Sequence, residues 1–488
     1  MVLSIPSKSR CGGQQRGLTP GFIRSPSLPA QAPSGSSCVG IKVPLQAHLV
    51  LEESHGGQGS AAGLHFAERS RLPRSTKVNL AAEQPMRNLE ESIFWEVFFR
   101  HYAVRSDFVR DFATSVPSVS RAVQRLLGEE LLIETGATIS TRGRRPTLLR
   151  VNPDLAVVGG IEFDRDQITA VVTNCDGTLL GRGVVATALA DPVPASSRRC
   201  REALGIAQTD AGLNASKLAR IGVGHTGVLD CERGVCLNWN QMPHWRNIEL
   251  AAALRETLEI EVTLDDRARA VALAQHFFSP ENRLHRTVIY VQVGSGIGAG
   301  VFADGRILRG ANSAAAELGH VVIDRNGPIC SCGNRGCVEA FASTSAILDR
   351  VRAQIVTGAD TILRTRVRQL ADLTIEDIAS AAKSGDPVAR NAIVEAGECL
   401  GLGIANAIQI LNPSLVVLAG KLAYAARELL MEAVLRVVQE RCFETHSRGL
   451  EIRVAPVHKD AAAIGCALLA SHAVLQGLVQ RKLFSCPP

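Results

Sequence analysis

The sequence predicts an α/β protein: a small helical front carrying a two-stranded wing, then a two-lobed body. Three observations point there. Two strand meanders, one from Val157 to Val184 and one from Thr287 to Phe302, are each followed by helical segments, which suggests a duplicated α/β body with a cleft between lobes. Ahead of them, residues 88–132 show helical periodicity and lead into two short strands, the plan of a winged helix-turn-helix. Finally, His320, Cys330, Cys332 and Cys337 crowd into one glycine-containing stretch with the spacing of a metal-held loop.

Composition agrees with a large folded chain. Of 488 residues, 46% are hydrophobic, ample for an extensive core. No uninterrupted run of about 18 apolar residues occurs, so no membrane partner is expected. Aromatics make up only 4%, which argues against stacking-based capture of single-stranded nucleic acid. The 13 cysteines are odd in number and scattered, unlike a secreted disulfide framework, and imply a reducing compartment. The formal charge of +6 is unevenly placed. Residues 1–85 carry nine basic and four acidic side chains, residues 86–150 ten and eight, and the remainder is close to neutral. Any nucleic-acid contact is expected from the front.

Residues 1–85 hold 8 of the 21 prolines, with abundant Gly and Ser. Such a segment cannot bury enough apolar surface to offset its ordering entropy and reads as a disordered basic extension. Its Arg/Ser-rich make-up also faintly resembles an organellar transit peptide, and Met86 would serve as the start of the folded protein.

The front spans residues 86–150. Leu89, Ile93, Phe94, Val97 and Phe98 mark the buried face of a first helix. A short second helix is expected over Asp107–Ala113 and a third over Ser118–Leu127, with Pro117 at its start. Val119, Val123, Leu126 and Leu127 face inward. Ser118, Ser120, Arg121, Gln124 and Arg125 lie opposite, residue types able to bond phosphates and base edges in a major groove. Leu131–Thr135 and Leu148–Val151 read as the wing strands. Their connection carries Arg142, Gly143, Arg144 and Arg145, a basic strip that suits a narrow minor groove, with Arg150 adding to the local basicity.

The body is expected over residues 151–488, its second lobe starting at about 280. Val157–Phe163, Ile168–Thr173 and Thr178–Val184 form the first meander; Thr287–Val293 and Ala299–Phe302 flank a glycine turn in the second. A helix runs from about Asp386 to Leu411, a strand from Leu415 to Leu418, and a last helix starts near Asp460 and returns to the first lobe.

His320, Cys330, Cys332 and Cys337 have the pattern His-x9-Cys-x-Cys-x4-Cys. Thiolate and imidazole donors favour tetrahedral zinc, and four protein ligands make a closed, structural site.

Glu317-Leu318-Gly319-His320, followed by Cys330-Ser331-Cys332-Gly333-Asn334-Arg335-Gly336-Cys337-Val338-Glu339, resembles the ROK family (repressors, open reading frames and sugar kinases). The likeness extends over about 400 residues from Asn88, and the winged front is similar to that of the family's sugar-responsive repressors. The resemblance implies a two-lobed actin-like or hexokinase-type domain, zinc on the four residues above, and sugar hydroxyls bound by Glu317, His320 and Glu339. Family kinases carry an Asn-Asp pair at a strand-to-helix turn, its Asp the general base. Aligned without a gap, Asp266 takes the Asn position and Arg267 that of the base; shifted by one residue, Asp266 is the base. In either alignment Asp266 is a candidate sugar ligand. An Arg stays protonated and cannot act as base. If Arg267 faces the sugar, the ligand is phosphorylated or acidic; a solvated Arg at a turn is the alternative.

The family's phosphate turn, Asp-x-Gly-Gly-Thr, reads Glu162-Phe163-Asp164-Arg165-Asp166 here, without either glycine. Ala419-Gly420-Lys421 has also lost glycine, while the turn from Gly294 to Gly300 keeps its own. The expectation is therefore a non-enzymatic, sugar-responsive transcriptional repressor of the bacterial cytoplasm. It would bind operator DNA and a sugar or sugar-phosphate effector, as a homodimer or higher homo-oligomer. The alternative is an ATP-dependent sugar kinase.

Overall fold

A computed structural model describes residues 88–138, 147–213, 218–239, 242–456, 458 and 460–484. The expected extension over 1–85 and the wing tip with Arg142, Gly143, Arg144 and Arg145 lie outside these.

Three helices lead: α1 (Leu89–Arg100), α2 (Arg105–Asp111) and α3 (Val116–Gly128). Asn88 caps α1, its side chain accepting from the Glu90 amide. Two of these helices begin earlier than the periodicity suggests, and capping explains both. The Asp107 carboxylate reaches back to the Val104 amide, so α2 starts before Asp107 rather than at it. Ser115 accepts from the Ser118 amide, which places Val116 and Pro117 in the first turn of α3. Strands β1 (Leu132–Thr138) and β2 (Thr147–Val151) then pair antiparallel, Leu132 opposite Val151. Ile93, Phe94, Val97, Phe98, Phe108, Val123 and Leu126 fill the space between these elements.

The body contains two five-stranded sheets of the same plan. The first comprises β3 (Val157–Phe163), β4 (Gln167–Asn174) and β5 (Leu179–Ala186), then α4 (Val193–Asp210) and β6 (Leu218–His225). A small antiparallel set follows, β7 (Val228–Asp230), β8 (Val235–Asn238) and β9 (Arg246–Ile248), and then α5 (Leu250–Leu258) and β10 (Val262–Asp266). Strand order is β10-β6-β3-β4-β5, an antiparallel meander extended by two parallel strands.

Helix α6 (Arg267–Phe278) crosses to the second sheet. There β11 (Thr287–Val293), β12 (Ile297–Ala303) and β13 (Arg306–Ile307) form the meander. A helical layer follows: α7 (Val338–Ala342), α8 (Thr344–Val356), α9 (Leu363–Arg366), α10 (Ile375–Lys383) and α11 (Pro387–Leu411). β14 (Leu415–Ala419), α12 (Lys421–Ala425), α13 (Arg427–Arg441), α14 (Glu444–Ser447) and β15 (Glu451–Val454) complete this half, in the order β13-β12-β11-β14-β15. The repeated topology is the duplication that the two meanders suggested.

The last helix, α15 (Ala461–Phe484), packs on β3, β4, β6 and α6, and its far end reaches α1. Helices α11 and α15 are long and apolar enough to cross a bilayer by length and composition. Both are helices of the folded core: Ala463, Cys466, Ala467, Leu468 and Leu475 of α15 and Ile393, Leu400 and Ile408 of α11 are fully buried.

Candidate functional site

The site is assembled around one dipeptide, Ile297-Gly298, where the glycine turn of the second meander enters β12. The Ile297 amide donates to Oε2 of Glu339 at 2.9 Å. Gly319, in the single 3-10 turn Leu318–His320 that follows Glu317, lies so close to the Ile297 carbonyl that a Cβ would clash with it. Gly298 touches Ala268, in the first turn of α6, where a side chain would clash. Three segments remote in sequence thus converge, carrying Glu317 and His320, Glu339, and Asp266. A Cβ on Gly296 would stand 2.7 Å from the Glu339 carboxylate. The turn from Gly294 to Gly300 therefore has a packing role that needs no phosphate.

The four candidate metal ligands come together. Their donor atoms, one each from His320, Cys330, Cys332 and Cys337, all lie within 4.8 Å of one another. Cys332 Sγ and Cys337 Sγ are 3.8 Å apart, and Cys330 Sγ is 3.6 Å from His320 Nδ1. Tetrahedral zinc with ordinary bond lengths requires about 3.8 Å between sulfurs and about 3.6 Å between sulfur and nitrogen, so the donor set fits that ion. Burial pushes the Cys337 thiol up to about 12, with the neighbouring thiols adding to the shift, so a bound cation has to displace its proton. Gly336 has φ +70° and packs against the Asp324 carbonyl, leaving no room for a side chain at this corner of the loop. The loop is tied to the sugar-site candidate Glu339, whose Oε1 accepts from the Ser331 hydroxyl at 2.9 Å.

Across the cleft, Asp266 ends β10 and caps α6, its Oδ1 accepting from the Arg269 amide at 3.1 Å. Burial raises the pKa of Asp266, opposed by Arg269. Burial also raises that of Glu317, reinforced by the Asp266 and Glu339 carboxylates and opposed by His320 and Arg269. All four sugar-site candidates thus share one electrostatic neighbourhood. Two residues that sequence reasoning passed over join them. Asp265, 1% exposed, accepts from Arg269 Nε at 2.8 Å, and Arg309, on the loop after β13, places its Nη2 2.7 Å from the other Asp265 oxygen. The Asp265-Asp266 doublet was the available signal for the first; nothing in the sequence singles out Arg309.

Arg267 is not a sugar-facing cation. Its Nε donates to Glu162 Oε1 at 2.6 Å and its Nη2 lies 3.3 Å from Asp164 Oδ2. Burial works against the charge, but the two carboxylates more than compensate and raise the guanidinium's pKa. The inference from Arg267 to a phosphorylated or acidic sugar is therefore withdrawn: both of its charge partners come from the protein.

In the front, α3 exposes Arg121 and Gln124 and leaves Ser118 and Ser120 half-buried, Ser118 sharing a hydrogen bond with the Ser115 hydroxyl at 2.9 Å. Arg125 departs from its expected role. It donates to the Leu483 carbonyl at 2.7 Å and lies 3.6 Å from Glu90, so it holds α3 to α1 and α15. Arg150 is likewise engaged, on the buried Asp176 at 2.9 Å.

Two matched α/β lobes around a cleft, with carboxylates and a His/Cys3 loop on its walls, define an actin-like, hexokinase-type fold. The chain belongs to the ROK family, whose profile matches residues 158–473. It is 30% identical over 349 residues to the xylose repressor of Caldicellulosiruptor bescii, covering 72% of this chain and 86% of that protein. Over 384 residues it is 28% identical to the DNA-binding transcriptional dual regulator NagC of Escherichia coli, covering 75% and 88% respectively. Among solved structures it is similar to a ROK family transcriptional regulator described as a homologue of the E. coli MLC protein, with TM-score 0.62, 26% identity, and 78% of this chain and 94% of that one covered.

Proposed function

We propose that this protein is a sugar-responsive transcriptional repressor of the bacterial cytoplasm. Residues 86–150 act as its winged helix-turn-helix and 151–488 as its sugar-sensing body. The observation that carries the reading is the attachment of a three-helix, two-strand front, exposing Arg121 and Gln124, to a ROK body. Its similarity to a xylose repressor over 72% of the chain, and to two transcriptional regulators over 75% and 78%, supports it. In this reading Ser118, Ser120, Arg121 and Gln124 meet operator DNA together with Arg142, Gly143, Arg144 and Arg145 of the wing. Glu317, His320, Glu339 and Asp266 accept or donate hydrogen bonds to a sugar. Zinc on His320, Cys330, Cys332 and Cys337 is structural. Through Nδ1, His320 would hold the ion and leave Nε2 for the ligand. A homodimer matches the two-fold symmetry of operators.

Enzymatic phosphoryl transfer is the alternative. Against it stand Arg267, which takes the position of the base when the stretch is aligned without a gap, and its pairing with Glu162 and Asp164, where family kinases have a glycine turn for phosphate. The deciding experiment measures binding of the full chain to its own upstream DNA with and without a sugar panel. Salt-sensitive, sequence-selective binding that changes with one sugar, and loses that response in Glu317→Ala, is expected. Absence of selective DNA binding, or ATP-dependent phosphorylation of a sugar, would overturn the proposal.

A further inference from the structure

The winged front runs into the body without a linker. Strand β2 passes through the short turn Pro153–Leu155 into β3. One hydrophobic cluster holds Ile93, Phe98 and Val151 of the front together with Phe277 and Leu468 of the body. Close-packed side chains leave little slack, so a shift of the body residues in this cluster has to be met by the front.

Two body helices support α1, and they follow different lobes. Helix α6 goes with the second sheet: a side chain on Gly300 of β12 would clash with Ala272, and His276 stacks on Phe302 of the same strand. Helix α15 goes with the first: Gly160 of β3 and Gly222 of β6 lie against its backbone at Ala463 and Cys466, where a Cβ would not fit. Phe277, in the last turn of α6 and 2% exposed, sets its ring 5.0 Å from that of His101 and 5.9 Å from that of Phe98. His101 ends α1 at φ +64°, a conformation that a non-glycine residue keeps only where its surroundings hold it. From α15, the His472 ring lies 4.6 Å from that of Trp95, and Gln480 Nε2 donates to Glu91 Oε1 at 3.4 Å.

The other end of α6, about 16 Å from Phe277, lies in the cleft. There Asp265, at the end of the first sheet's β10, is paired at 2.7 Å with Arg309, on the second-lobe loop that continues to Glu317. This ion pair ties one lobe to the other beside the candidate sugar ligands.

We propose that α1 straddles the two lobes and senses their relative position. When the cleft closes on a sugar, α6 and α15 shift against each other. Helix α1, held by Phe277 on one side and His472 on the other, is re-seated, and α3 packed on it moves as well. This role rests on the repressor reading; the coupling itself is measurable without sugar or DNA.

Hydrogen–deuterium exchange of the full chain, read by mass spectrometry, measures it. Arg309→Ala cuts the tie between the lobes at the end of α6 remote from α1. Exchange in residues 93–101 is expected to quicken by about threefold or more, while α10, packed on α11 and α12, stays unchanged. In a Phe277→Leu background, and separately in His101→Asn, Arg309→Ala is expected to add less than about half of that effect, because α1 has already been released from α6. Two backgrounds are used so that misfolding of either leaves the other. Three results would overturn the proposal: no change in residues 93–101 on Arg309→Ala; an equal acceleration in α10, which marks general loosening; or the full effect in both backgrounds, which routes the signal around Phe277. Selective operator binding is scored separately, so failure of this coupling and failure of the repressor reading remain distinguishable.

Discussion

Arg267 Nε donates to Glu162 Oε1 at 2.6 Å, joining the first residue of α6 to the end of β3. In the gap-free alignment, Glu162 and Arg267 fall where a family kinase would carry a phosphate turn and a base; in the structure they neutralise each other. Asp164 completes the cluster at 3.3 Å. Arg267→Ala would leave two carboxylates facing each other in a largely buried position. A loss of about 3 kcal/mol in unfolding free energy is expected, read from urea denaturation. Arg267→Asp places a carboxylate at the base position of the gap-free alignment but supplies no glycines to the Glu162–Asp166 turn, so a coupled ADP-release assay with ATP and a hexose panel should stay at background. Turnover by this variant would show that a single residue withholds kinase activity.

The two exposed arginines of α3 should behave differently. Arg125 is bonded to the Leu483 carbonyl, so Arg125→Ala should lower stability by about 1 kcal/mol. Arg121 is exposed and has no described intramolecular bond to lose. Arg121→Ala should leave the thermal midpoint within error, weaken operator binding about tenfold, and reduce the salt dependence of that binding by about one phosphate contact. Fluorescence anisotropy across a salt series separates the two. Equal effects on DNA from both variants would contradict the assignment.

The contrast between these arginines shows where reading the sequence succeeds. Side-chain direction on α3 follows from helical periodicity, and Val119, Val123 and Leu126 are indeed its buried face. What captures Arg125 is a carbonyl 358 residues away, which no local pattern encodes. Strands β3 and β11 match their expected limits because each is an apolar run bounded by turn residues. Strands β6 and β10 were not foreseen: they are interior or short parallel strands without alternation, and β6 carries two glycines. The metal cluster was legible because three of its ligands lie within eight residues of sequence. Arg309 on Asp265 was not, since the pair spans the cleft and forms only once both lobes are in place.

The hydrogen bond from Ser331 to Glu339 ties the cysteine loop to the proposed sugar site. Cys332→Ser should abolish stoichiometric zinc, measured by plasma mass spectrometry on purified protein. It should also lower the thermal midpoint and weaken sugar binding at least tenfold, because Glu339 loses a fixed support. Ser331→Ala offers a gentler comparison, with zinc retained and sugar affinity lower. If Cys332→Ser removes the metal but leaves sugar affinity intact, Glu339 is held well enough by the Ile297 amide alone.

Two buried histidines set an acid limit on the fold. His225 accepts from the Gly227 amide at 2.9 Å among Phe163, Trp239 and Trp245. His276 stacks on Phe302, ring centroids 3.9 Å apart, with Tyr290 Oη 3.0 Å from its Nδ1. Burial lowers the pKa of each to about 3, from an ordinary value of 6.5. Between those values the unfolded chain binds more protons than the folded one. Stability is therefore full above pH 6.5 and falls as pH drops from there toward 3, each imidazole contributing about 1.4 kcal/mol per pH unit. Urea midpoints taken from pH 7 to pH 5, above the main range of carboxylate titration, read the combined effect of the buried imidazoles, and a variant at one of them gives its share. His276→Phe keeps a ring stacked on Phe302 and should remove about a third of the decline or less, because burial also lowers the pKa of His101, to about 4, and those of His285 and His458. An undiminished slope in that variant would assign the acid sensitivity to other groups.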